Sequence, residues 1–184
     1  MSEMKIYYES MESILGQLWI GYTSKGLAKL DFAIRREDFI ESLKKTYNIV
    51  TEHNGANSDY SRQISLYLDE KLKNFDLPLD LNGSPFQISV WKELLKIPYG
   101  EVRTYKDIAV AVGREKGFRA VGMANNRNPV SIVVPCHRVI GSSGELVGYG
   151  GGIEAKVKLL KLEGLSIIEK EGNGNILYYI AYNK

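Results

Sequence analysis

Cysteine is nearly absent from this chain: one residue in 184, accompanied by only two histidines. A lone cysteine has no partner for an internal disulfide, which leaves packing or chemistry, and it suits a reducing compartment, the cytoplasm. One cysteine and two histidines cannot build a tetrahedral zinc cage without carboxylates, so no metal is expected, and no cofactor motif stands out. No apolar run reaches the roughly 20 residues a bilayer requires. Met1 to Lys5 lead into an amphipathic stretch without the apolar core of a signal peptide, so no membrane partner is expected. A strong charge of one sign is missing too, since 24 Lys and Arg stand against 22 Asp and Glu. Internal repeats and low-complexity tracts are also lacking. What remains, 44% hydrophobic and 25% charged, is the composition of an ordinary globular protein. The length allows one domain or two small ones with real cores.

The near-neutral balance hides an asymmetry. Residues 1–83 hold 10 Lys and Arg against 13 Asp and Glu, whereas residues 84–164 hold 12 against 7. The basic part contains the cysteine. Such a distribution is expected of a surface that approaches a polyanion, and a solvated face of uneven charge would look the same.

Hydrophobic spacing divides the chain. Leu15–Tyr22 and Leu27–Phe32 flank Thr23-Ser24-Lys25-Gly26 and predict a hairpin. Phe39, Ile40 and Leu43 predict a helix within Arg36–Thr46, and Ile64, Leu68 and Leu72 predict a second. His53 to Asp59 reads as a polar loop, and Leu77 to Gly83 as a linker. Beyond it, Ser84-Pro85-Phe86-Gln87 is a capping box with proline at the first helical position. Thr104 caps a helix carrying Tyr105, Ile108, Ala109 and Val112. A third helix runs from Phe118 to about Asn126, so the last two outline a helix-turn-helix. Its Arg119-Ala120-Val121-Gly122-Met123-Ala124 is poor in the long polar side chains that read base edges. Small residues such as Ala120 and Gly122 suit close, sequence-independent approach to a groove instead, or plain burial. Ser131 to Val134 reads as a buried strand, Gly141 to Gly152 as a glycine-rich loop, Ile153 to Leu162 as a final helix, and Ile167 to Tyr182 as a terminal hairpin.

The single cysteine sits in Pro135-Cys136-His137-Arg138-Val139. A thiol beside a potential base is a candidate nucleophile, although a free thiol is only a few per cent ionised at neutral pH. Neighbours on an extended segment point to opposite sides. Cys136 and His137 are therefore expected to communicate through a water unless the chain turns sharply, with a third group holding the imidazole.

Taken in order, Phe86…Val90-Trp91, Pro98-Tyr99-Gly100-Glu101-Val102, Thr104-Tyr105, Arg119-Ala120-Val121-Gly122, Asn128-Pro129, Pro135 to Val139 and Glu163-Gly164 make the chain resemble the O6-alkylguanine-DNA alkyltransferases over about residues 84–164. The resemblance implies an α/β fold. A ribonuclease-H-like α/β domain is expected over residues 1–83, followed over residues 84–184 by a mostly helical, winged helix-turn-helix-like alkyltransferase domain. The terminal hairpin lies outside the shared core. The implied partner is double-stranded DNA carrying O6-alkylguanine, bound by a monomer of which several could share one DNA. No cofactor is implied.

By the same resemblance Cys136 accepts the alkyl group in a single, irreversible turnover, because a thioether has no easy route to hydrolysis. His137 acts as base through a water, oriented by Glu163, and Asn128 braces the active-site loop. Tyr105 assists nucleotide rotation and Arg119 fills the gap left in the duplex. Val139, Tyr149, Gly150 and Gly151 line the base pocket, with backbone N–H groups of the two glycines as donors toward the guanine oxygen. Family members often carry Ser, Arg or Trp where this chain has Gly150-Gly151, which implies a roomier pocket without a hydroxyl donor. The competing readings are a lesion-sensing protein without transfer activity, a cysteine hydrolase, and a merely packed thiol.

Overall fold

A computed structural model describes residues 4–53, 58–172 and 174–181. Met1 to Glu3, most of the expected loop between His53 and Asp59, and Asn173 and Tyr182 of the expected hairpin lie outside these residues. Contacts divide the chain into residues 1–82 with 129–133, and residues 83–128 with 134–184.

The first unit is an α/β layer. Strands β1 (Lys5–Ser13), β2 (Gly16–Thr23), β3 (Gly26–Phe32) and β4 (Ile49–Glu52) form one sheet in the order β3-β2-β1-β4. The hairpin read from the sequence is present, with Thr23 paired to Gly26 across Ser24-Lys25. β1 pairs antiparallel to β2 and parallel to β4. Helix α1 (Arg36–Lys44) buries Phe39 and Leu43 in a cluster with Ile6, Tyr8, Trp19 and Ala28. Helix α2 (Asp59–Leu68), capped by Ser58, buries Ile64, Tyr67 and Leu68 and ends before Leu72.

The outer edge of β3 is covered rather than open. Leu27 N–H donates to Pro78 O and Asp80 N–H to Leu27 O, so part of the expected linker is fastened to the sheet. Further along, Leu30 N–H donates to Pro129 O. Covering a hydrogen-bonding edge in this way removes a site for unwanted strand pairing.

Residues 131–134 correct the sequence reading. They form a turn, not a strand: Val133 N–H bonds Ser131 O at 2.9 Å and Ile132 has φ 73°. Ile132 and Val134 are nonetheless fully buried. Four apolar residues signal burial, but such a run does not distinguish a strand from a buried turn. A β-branched residue in the left-handed region costs on the order of 1–2 kcal/mol, which the burial of the Ile132 side chain offsets.

The second unit is mostly helical. Helix α3 (Pro85–Leu94) starts with the expected capping box between Ser84 and Gln87. Its Trp91 is buried and donates its indole N–H to Ala124 O at 2.9 Å, tying α3 to the end of α5 (Phe118–Asn126). Thr104 and Asp107 make a second capping box at α4 (Tyr105–Ala111). Between α5 and α6 (Ile153–Leu162), β6 (Val139–Ile140) pairs in parallel with β5 (Arg103–Thr104). A hairpin of β7 (Ile167–Gly172) and β8 (Asn175–Ile180) follows. Ile140, Leu146, Val157, Leu160 and Ile180 form this part of the core. The fold class is the one read from the sequence, an α/β unit and a mostly helical unit.

Candidate active site

Cys136 opens a single 3-10 turn, Cys136–Arg138, which Arg138 N–H closes on Pro135 O at 3.0 Å. The extended geometry considered above is therefore absent, and the chain does turn sharply. As a result three consecutive side chains point inward: Cys136, His137 and Arg138 are 3%, 0% and 6% exposed. Burying a thiol, an imidazole and a guanidinium side by side requires partners for each.

The sulfur is met by Asn128, whose Nδ2 donates to Sγ at 3.0 Å and to Val134 O at 2.8 Å. Asn125 Nδ2 donates to Cys136 O at 3.3 Å. Burial pushes the Cys136 thiol up, while the Asn128 amide, the Lys156 ammonium and the N–H groups of Cys136 and His137 oppose that shift. Burial prevails, so the resting sulfur is a thiol at neutral pH. Ionisation then requires a base to take its proton.

His137 Nε2 lies 2.9 Å from Glu163 Oε1. Glu163, at the C-cap of α6, also accepts from Arg138 Nε at 3.0 Å on both oxygens, from Arg138 Nη2 at 2.8 Å and from Gly100 N–H at 3.2 Å. These donors and nearby positive charges overcome burial and hold the Glu163 carboxyl down at about 2. An ionised carboxylate only accepts, so Nε2 carries the imidazole proton and Nδ1 is the basic nitrogen. Burial lowers the His137 pKa below its usual range, so the ring is neutral and ready to accept a proton.

Lys156 was not found in the sequence reading. Its side chain is fully buried, and Nζ donates to Val139 O at 2.5 Å and Val147 O at 2.9 Å. Burial lowers its pKa to about 8, against the attraction of Cys136. Its signal was its spacing: Ile153, Lys156, Val157 and Leu160 fall on one helical stripe, which puts a cation where an apolar residue belongs.

A cleft of about 520 Å³ is lined by Tyr105, Arg119, Gly122, Met123, Val147 and Tyr149 among others. Tyr105 OH donates to Val147 O and Gly148 O at 3.2 Å each, and burial raises its pKa. Gly150 faces Asn126, an added Cβ there meeting Oδ1 at 3.7 Å. Arg119 and Ala120 are exposed on α5, and Gly151 is half-buried in the loop. Val139 is fully buried and is not part of the cleft lining expected from the resemblance. The residues singled out from sequence thus fall into two groups. Cys136, His137, Asn128 and Glu163 form a buried hydrogen-bonded set, and Tyr105, Arg119, Gly122 and Tyr149 share an open wall. Among the described residues no cluster of three His, Cys, Asp or Glu could hold a metal ion, and no helix is long and apolar enough to cross a membrane.

Two family models match the chain. The DNA-binding domain of 6-O-methylguanine DNA methyltransferase covers residues 85–165, and its ribonuclease-like domain covers residues 6–81. The chain is 46% identical to a methylated-DNA–protein-cysteine methyltransferase of Methanosarcina barkeri, over 86% of this chain and 97% of the relative. A protein of the same name from Mycobacterium tuberculosis is 44% identical over 86% of this chain and 92% of its own length. Among solved structures, the Mycobacterium tuberculosis OGT in complex with DNA superposes with TM-score 0.76 at 43% identity, over 85% of this chain and 92% of that one. The O6-methylguanine-DNA methyltransferase of Pyrococcus kodakaraensis does so with TM-score 0.63 at 32% identity, over 86% and 99%.

Proposed function

The chain belongs to the 6-O-methylguanine DNA methyltransferase family, and on that premise we propose that it repairs DNA by moving an alkyl group from the O6 of guanine onto Cys136. The observation that carries this reading is the chain's only cysteine, hydrogen-bonded by Asn128 and next in sequence to an imidazole that burial keeps neutral and Glu163, itself held by Arg138, orients.

The step balances as a displacement. His137 Nδ1 takes the thiol proton through a bridging water. The Sγ electron pair forms the S–C bond, the C–O6 bond breaks, and its electrons remain on the guanine, which then takes up a proton. Glu163 stabilises the imidazolium that forms, and Lys156 stabilises the thiolate. The S–C bond of the product is a thioether, and no group in the site is placed to cleave it, so each protein acts once.

A target inside a duplex must be rotated out of the stack, which costs a few kcal/mol. Tyr105 and the wall Val147 to Tyr149 receive the rotated base, and N–H groups of Gly150 and Gly151 face its oxygen. Arg119, exposed near the start of α5, fills the vacated space. The small Ala120 and Gly122 let the helix approach the groove closely, and Asn128 keeps the sulfur aimed at the cleft.

Intact-mass measurement after incubation with O6-methylguanine duplex, followed by peptide mapping, tests this reading. One added methyl group, on Cys136, is expected. No added mass, which is the behaviour of a lesion sensor, or a methyl group elsewhere, or many lesions cleared per protein, overturns it.

A further inference from the structure

The family model that matches the second unit stops at residue 165, before β7 and β8 begin. The hairpin is nevertheless built into the support of the cleft. Residues 144–146 run antiparallel beside β8: Ile180 N–H donates to Gly144 O at 2.9 Å, Leu146 N–H donates to Tyr178 O at 2.8 Å, and Glu145 bridges to Tyr179. This short segment is in effect a third strand on the hairpin. Side chains follow the backbone, since Leu146 and Ile180 share one buried cluster against which Ile167 and Tyr178 pack.

The next residue is fastened from the other direction. Val147 O accepts from Tyr105 OH and from Lys156 Nζ. Val147, Gly148 and Tyr149 then make one wall of the cleft. The run from Gly144 to Gly152 contains five glycines, with positive φ at Gly144, Gly148 and Gly152. Such a run has little conformational preference of its own, so its shape is imposed by whatever holds it.

We propose that the β7–β8 hairpin is a positioning element for the cleft: by taking residues 144–146 onto its edge it holds the wall Val147 to Tyr149 in the shape that receives the alkylated base. This deepens the functional reading above and rests on its assignment of the cleft as the base site.

The hydrogen-bond pattern allows a selective test. Ile180 directs its N–H to Gly144, whereas Ala181 N–H bonds Ser166 O on the β7 side. Proline at position 180 therefore removes the bond to the loop and leaves the β7–β8 ladder donors in place. The parent is compared with a chain ended after Ser166, with Ile180→Pro, and with Ile180→Val, which keeps the N–H. Two rates are measured, with thermal melting as the check on folding. The first is methyl transfer from an O6-methylguanine duplex. The second is alkylation of Cys136 by a small neutral maleimide, which needs the sulfur but not the wall. Because the chain has one cysteine, the reagent reports on that site alone. Truncation and Ile180→Pro are expected to slow transfer by about tenfold or more, with maleimide reaction within about twofold of the parent, because misplacing a wall costs orientation and not nucleophilicity. Ile180→Val is expected to retain transfer. Unchanged transfer in Ile180→Pro, or an equal loss of both rates, overturns the proposal. A parent that reacts with maleimide but never with the duplex overturns the functional reading instead. Should the truncated chain not fold, the two Ile180 variants decide.

Discussion

Glu163→Gln deletes a buried negative charge while nearly preserving shape. The side chain of Glu163 is fully buried, and its carboxylate is the anion beside the guanidinium of Arg138, 2.8 Å away. In the variant one oxygen still accepts, but an amide NH2 faces guanidinium donors and the buried cation loses its counter-charge. Removing one partner of such a pair costs about 3–5 kcal/mol, which for a protein of this size is a fall in Tm of roughly 10 °C or more. The pH dependence gives a sharper test. The folded pKa of Glu163 lies at about 2, below its ordinary value of 4.5. A lowered carboxyl contributes stability that is fully present above about pH 4.5 and is lost as pH falls toward 2, a total of about 3 kcal/mol at 1.36 kcal/mol per pH unit. Urea unfolding of parent and variant between pH 7 and pH 2.5 should therefore show two stability curves that converge on acidification. Curves that stay parallel, or a variant as stable as the parent at pH 7, would refute the assignment of this carboxylate as the balancing anion. Transfer in the variant should also slow by about 10²-fold or more, because the imidazolium formed during transfer loses its anionic partner.

Lys156→Met removes a buried cation that favours the thiolate and the donors on Val139 O and Val147 O. The thiol pKa should rise and maleimide reaction at pH 7 should slow by about tenfold, the equivalent of one pH unit, and an unchanged thiol titration would exclude this role. Arg119→Ala should slow repair of duplex DNA more than reaction with free O6-alkylguanine base, as compared by single-turnover rates, and equal losses would remove the gap-filling role. Gly26→Ala would place a Cβ 2.3 Å from Pro78 O at φ +149°; urea unfolding should show a loss of about 3 kcal/mol or more, and a loss below about 1 kcal/mol would mean that residues 78–80 yield. With Arg114, Lys116, Arg119 and Arg127 exposed on and around α5, the logarithm of duplex affinity should fall against the logarithm of salt with a slope of about −3 to −4, and a flat response would exclude phosphate contacts.

What could be read from the sequence was what short-range chemistry dictates. The capping boxes at Ser84 and Thr104 satisfy helix N–H groups within three residues, so both starts were visible without tertiary information. Strand β4 was not, because three half-buried residues and an exposed Glu52 acquire their identity only from pairing with β1. Nor was the turn at Ile132, where burial outweighs backbone preference. The chemistry divides in the same way. The resemblance implies Glu163 as orienter of His137 but gives Arg138, although part of the Pro135 to Val139 motif, no role of its own. The structure places Arg138 against Glu163 across 25 residues of sequence, and buries Lys156 against the carbonyls of Val139 and Val147. Both therefore leave the tally of charges that can meet a polyanion, and Glu163 leaves with them. Residues 84–164 still keep ten cations and six carboxylates outside the core. The basic surface thus survives the correction, and the buried charges acquire a different purpose. They surround a neutral imidazole and a protonated thiol and favour the charged forms that transfer requires, so the polyanion is met by one group of cations and the thiolate by another.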